Sequence, residues 1–142
     1  MNMQQVTDPT SKQVCEDIMD VLNKLKTSMV AIADDLGITR IQLFAVYSIN
    51  KTGQLPMGQF ADVLHCDPSN VTGIVDRLVS QGLVIRQECA TDRRSRLLVL
   101  TPKGQDLVDV LERALPQRMG CDSLTAAERE ALHGLLQKIA SM

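Results

Sequence analysis

Aromatic residues are nearly missing from these 142 residues: two phenylalanines, one tyrosine and no tryptophan. A stacking pocket for a phenolic ligand is therefore thinly supplied, by Phe44, Tyr47 and Phe60 alone. Long hydrophobic runs are missing too. Leu97–Leu100 is typical of the longest, and a membrane-spanning helix needs about 20 apolar residues. Met1–Pro9 has no basic stretch leading into an apolar core, so it reads as a frayed leader and not as a signal peptide. The four cysteines, Cys15, Cys66, Cys89 and Cys121, form no CxxC pair. Without an export signal they read as free thiols in a reducing, cytoplasmic compartment. Histidine is confined to His65 and His133, too few and too far apart for a clustered metal site. His65 beside Cys66 reads as a turn residue next to a buried thiol. No Ser/His/Asp or Cys/His constellation, phosphate loop or motivated pair of carboxylates is present, so neither an enzyme nor a cofactor is expected. Net basic charge is also lacking, at −2 overall.

What is present is an ordinary globular balance, 44% hydrophobic and 23% charged, in a chain long enough for one domain, 1–142. Charge is unevenly placed. Residues 8–36 carry three lysines against six carboxylates. Residues 77–103 carry Arg77, Arg86, Arg93, Arg94, Arg96 and Lys103 against only Glu88 and Asp92. Basic charge gathered in one segment of an acidic chain is a footprint for nucleic acid.

Hydrophobic periodicity predicts a long helix over 10–36, with Val14, Ile18, Val21, Leu22, Leu25, Met29 and Ile32 on one stripe and Gly37 at its end. Thr39 caps a second helix that stops before Gly53. A short helix over 57–65 follows. Asp67 then stands as an N-cap before Pro68, and Val71, Ile74, Val75, Leu78 and Val79 form one apolar stripe up to Gly82. Two short helices joined by His65–Cys66–Asp67 make a helix-turn-helix candidate. The period then changes. Leu83–Cys89 and Arg96–Thr101 read as two strands of a hairpin with a basic tip. Pro102 opens a helix that Pro116 should end or kink, and Thr125 with Glu128 forms a capping box for the last. The fold class is mainly α with a small β-hairpin wing.

If the stripe of the fourth helix faces the core, its other face carries Ser69, Asn70, Thr72, Gly73, Asp76, Arg77 and Ser80. Hydroxyl and amide groups in a first helical turn can reach base edges or phosphates. Gly73 costs about 1 kcal/mol of helix propensity against alanine, which makes sense if bulk there would hold the helix off a groove floor. At the hairpin tip, Arg93, Arg94 and Arg96 are suited to a narrow, electronegative minor groove. Asp92 fits as an orienter, ion-paired to Arg77 or Arg94.

The stretch Phe60–Arg86, FADVLHCDPSNVTGIVDRLVSQGLVIR, followed by Asp92–Gly104, DRRSRLLVLTPKG, resembles the MarR family of transcriptional regulators. The pattern Asp-x-Arg, then a strand, then Leu-Thr-x-x-Gly carries the resemblance most specifically. It implies a winged helix-turn-helix over 39–101, flanked by dimerisation helices at 10–36 and 103–142, and a homodimer on a pseudo-palindromic operator in double-stranded DNA. It implies that Ser69, Asn70, Thr72, Gly73 and Arg77 belong to the recognition helix, that Arg94 is the minor-groove arginine with Arg93 beside it, and that Asp92 is the wing carboxylate. It also implies a small-molecule effector modulating a repressor. Some members sense oxidants through a cysteine early in the first helix. Cys15 stands in a comparable place, either as such a sensor or as a small packed hydrophobe; adjacent Glu16 and Asp17 oppose a thiolate. A winged-helix protein-interaction module without DNA binding is the other alternative, and the wing arginines argue against it.

Overall fold

The helix boundaries follow from local capping chemistry. In the computed structural model, which describes residues 8–92 and 95–142, the Thr10 side chain accepts the Gln13 N–H at 3.2 Å while Gln13 Oε1 accepts the Thr10 N–H at 2.7 Å. This reciprocal box satisfies two of the donors a helix start leaves open. It starts α1, Ser11–Leu36, which Gly37 closes in the left-handed region at φ 70°. Thr39 and Gln42 repeat the device at the head of α2, Arg40–Thr52. There follow α3 (Met57–Leu64), α4 (Pro68–Ser80), α5 (Pro102–Met119), a 3₁₀ turn (Cys121–Ser123) and α6 (Ala126–Ala140). Thr125 and Glu128 box the last of these as expected.

Two strands were expected and three are found. β2 (Val84–Glu88) and β3 (Arg96–Leu100) form the antiparallel hairpin, with Val84 opposite Leu100 and Glu88 opposite Arg96. A two-residue β1, Leu55–Pro56, adds to the other side of β3 in register with Leu98 and Leu97, giving the order β1-β3-β2. Proline lacks an N–H for the ladder and sits here on an edge strand, where it is tolerated.

The core is one cluster. Leu43, Val46 and Ile49 of α2, Phe60 of α3, Val75 and Leu78 of α4, Leu98 of β3 and Val108 and Leu111 of α5 are essentially inaccessible. Only the C-terminal part of α1 joins them, through Met29, Ile32 and Ala33. The earlier part of the α1 stripe, Val14, Val21 and Leu22, is exposed, and so is Cys15. The packed role for Cys15 is therefore not met within one chain, because the first turns of α1 run past the core. α6 has no buried residue at all.

Pro116 does not end α5. It removes a single N–H bond, and the last turn is held by other ties. Gly120 caps it in the left-handed region, Lys24 Nζ donates to the Met119 carbonyl at 3.4 Å, and Arg118 pairs with Asp35 at 3.6 Å. The frayed leader falls largely on residues 1–7, outside the described residues. No described helix is long and apolar enough to cross a membrane.

Candidate nucleic-acid interface

The turn between α3 and α4 forms because His65 adopts the left-handed conformation, φ 51° and ψ 43°, and its N–H and that of Cys66 close back onto the end of α3. Asp67 then caps α4. Its Oδ1 accepts both the backbone N–H and the hydroxyl of Ser69, each at 2.9 Å. Those two donors hold the Asp67 carboxyl below its ordinary value. A depressed carboxylate contributes stability above its unfolded pKa and loses it as pH falls through the folded one. The melting temperature of Asp67→Ala should thus lie below wild type at neutral pH and converge with it below about pH 4. A constant difference by calorimetry across that range would assign the effect elsewhere.

At its other end α4 finishes in a Schellman motif: Leu83 N–H bonds the Leu78 carbonyl, Gly82 N–H bonds the Val79 carbonyl, and Gly82 takes φ 72°. Between these ends Val71, Val75 and Leu78 are buried, whereas Ser69, Asn70, Thr72, Gly73, Asp76, Arg77 and Ser80 are all exposed, as the stripe predicted. A Cβ added to Gly73 would meet nothing within 4 Å. Nothing inside the chain requires a glycine there.

The basic segment is less free than a charge count suggests. Arg86 is ion-paired with Asp76. Arg96 pairs with Glu88 across the strand ends at 3.4 Å. Lys103 Nζ donates to the Gln81 carbonyl at 2.8 Å. Arg77 makes no ion pair among the described residues and borders a shallow depression of about 360 Å³ with Ser69, Asn70 and Gly73. At the wing, the Asp92 carboxylate accepts the Ser95 hydroxyl at 3.0 Å, and the Asp92 carbonyl accepts the Ser95 N–H at 3.1 Å. Among the described residues no ion pair joins Asp92 to Arg77. Arg93 and Arg94 lie outside the described residues. Cys89, at the base of the wing, has a neighbour the sequence did not suggest. Its sulfur lies 3.2 Å from the Thr91 hydroxyl, and that contact, then the backbone N–H groups of Thr91 and Asp92, pulls its pKa down.

A second depression, about 420 Å³, lies between α1, α2 and the α3–α4 turn. Leu25, Met29 and Phe44 supply apolar wall, and Lys26, Arg40 and His65 supply basic groups. Sequence reasoning missed this gathering because the three basic residues come from three separate segments. Among the described residues no group of three or more His, Cys, Asp or Glu side chains converges.

A model of the MarR family matches residues 38–95. The chain is 26% identical over 100 residues, 70% of its length, to the HTH-type transcriptional regulator YhbI of Bacillus subtilis. It is 33% identical over 84 residues, 59% of its length, to the HTH-type transcriptional repressor MdtR of the same organism. These stretches span 65% and 54% of the two relatives. Among solved structures, a cysteine-to-serine variant of E. coli MarR complexed with operator DNA superposes with a TM-score of 0.67 at 27% identity, over 94% of this chain and 99% of that one. With the caps, the left-handed turn, the polar face of α4 and the three-stranded wing in place, the winged region of the chain matches the MarR family of transcriptional regulators, and the chain as a whole shares the fold of that family's solved members.

Proposed function

We propose that the chain acts as a homodimeric, sequence-specific DNA-binding repressor in the cytoplasm, with α4 as its recognition helix. Ser69, Asn70, Thr72, Gly73 and Arg77 meet the major groove and its phosphates, while Asp92 orients a wing whose Arg93 and Arg94 enter the flanking minor groove. The observation that carries this reading is Gly73. A mid-helix glycine costs about 1 kcal/mol, and the space around it is empty. The clearance serves something outside the chain. The relative bound to operator DNA and the relative described as a repressor support the same reading.

Gly73→Ala should therefore gain about 1 kcal/mol of stability, roughly 3 to 5 °C in Tm. It should also bind operator about tenfold more weakly. Fluorescence anisotropy on a duplex selected from randomised sequences measures the second effect and calorimetry the first. A stabilised variant that binds as tightly as wild type would remove the groove-clearance role. Wild-type affinity should fall steeply with salt as counterions are released, and the half-sites should lie about 10 base pairs apart centre to centre.

The second copy is argued from the first turns of α1 and from α6, whose exposed apolar residues have no cover among the described residues. For the effector, the depression bounded by Lys26, Arg40 and His65 over an apolar wall suits a small amphipathic anion. It touches the turn that leads into α4, so an occupant there bears on the recognition helix.

A further inference from the structure

Gln42 is a polar side chain in the core region, only 3% exposed. Both ends of its amide are used. Oε1 accepts the Thr39 N–H at 2.8 Å, and Nε2 donates to Gln81 Oε1 at 3.1 Å. Gln81 is the C-cap of α4. Its main-chain carbonyl accepts Lys103 Nζ at 2.8 Å. One residue at the end of the recognition helix is thus held by α2 through its side chain and by α5 through its backbone. Val71, Val75 and Leu78 add apolar packing, which is non-directional, and a further polar tie of the helix body is the ion pair of Asp76 with Arg86 of β2. The hydrogen bond from Gln42 is directional.

We propose that Gln42 is a positioning residue: through Gln81 it sets the angle of α4 on the α2–α5 scaffold and hence the separation of the two recognition helices in the dimer. The inference rests on the DNA-binding reading above. The leverage is geometric. Thirteen residues of α4 span about 20 Å, so a rotation of about 5° at the C-terminal end moves the N-terminus by about 1.7 Å. That is about half of the 3.4 Å step between base pairs. A dimer that reads two half-sites at fixed separation feels such a shift in both arms.

The test uses the full-length wild type to select a preferred operator from randomised duplexes, then compares duplexes whose half-site spacing differs by one base pair. Wild type should discriminate between them about tenfold or more. Gln81→Met, on the exposed partner, should bind the preferred duplex about tenfold more weakly, with spacing discrimination reduced to about twofold and Tm nearly unchanged. Gln81→Glu keeps an acceptor for Gln42 and should restore the discrimination. Gln42→Met should reproduce the Gln81→Met profile, and the double variant should add nothing further. Full spacing discrimination in Gln81→Met, or additive effects of the two substitutions, would overturn the positioning role. If wild type selects no sequence, the DNA-binding reading itself falls and takes this inference with it.

Discussion

Leu135→Asp is expected to convert the protein to monomers at micromolar concentration and to reduce operator affinity by more than about a hundredfold. In the isolated chain Leu132, Leu135, Leu136 and Ile139 of α6 are 43%, 60%, 52% and 52% exposed. Such a stripe on a helix with no buried residue has no partner among the described residues of its own subunit. Burying one leucine side chain fully is worth about 1.5–3 kcal/mol, and a twofold interface contains each position twice. A carboxylate placed there loses that gain and must also be desolvated in both subunits. Operator affinity falls with it, because each winged unit then binds its half-site alone and the advantage of linkage disappears. The core of the winged region is built from residues of one chain, so a helical circular-dichroism signal should persist. Sedimentation and anisotropy on the same sample decide the matter. A variant that stays dimeric and binds operator normally would show that α6 is not the interface.

Much of this architecture was legible because the signals are local. Thr125 announces a helix with Glu128 three residues later and Thr39 reads as a cap, and both form; Thr10 with Gln13 and Thr39 with Gln42 complete boxes of the same kind. Asp67-Pro68 and Gly82 bracket α4, so its polar face could be read from the chain alone. What was missed depends on distant partners. β1 exists only because β3 pairs with it; two residues ending in proline carry no strand signal of their own. Pro116 does not end its helix because Lys24, Asp35 and the Gly120 cap, which local propensity ignores, hold the turn beyond it. Asp92 was read only against arginines, and the Ser95 hydroxyl that it also accepts carries no charge signal in the sequence. Arg86 and Arg96 counted toward a basic surface until their strand neighbours and α4 supplied Asp76 and Glu88. The bond between Gln42 and Gln81 spans 39 residues; only the capping half of the role of Gln42 is written locally.

Gly104→Ala should be the opposite of Gly73→Ala, although the chemical change is identical. Both residues lie in helices, so propensity alone predicts that both substitutions stabilise by about 1 kcal/mol. The surroundings reverse the sign at Gly104. A Cβ there would stand 2.2 Å from the Leu83 carbonyl oxygen and 3.2 Å from the Leu100 side chain. The first of these is a backbone atom that no rotamer change can move away. Leu83 is also fixed at both ends: its N–H bonds the Leu78 carbonyl to complete the α4 cap, and its carbonyl accepts the Thr101 N–H at 3.1 Å. Thr101 in turn caps α5, accepting the Gly104 N–H at 3.1 Å and donating to the Gly82 carbonyl. Relief of the clash must separate the start of α5 from the end of the recognition helix and break part of this set. Overpacking a closely fitted site costs about 1–3 kcal/mol and sometimes more, and lost hydrogen bonds add about 1 kcal/mol each. The net of these terms against propensity is about 3 kcal/mol of destabilisation, roughly a 10 °C fall in Tm for a chain of this size. The same strain reaches Gln81 and its neighbours, so operator binding should weaken even at temperatures where the variant is folded. Calorimetry of the two alanine variants side by side gives the answer: Gly73→Ala melting above wild type and Gly104→Ala well below it. A Gly104→Ala protein as stable as wild type would mean that α5 and the end of α4 do not approach this closely.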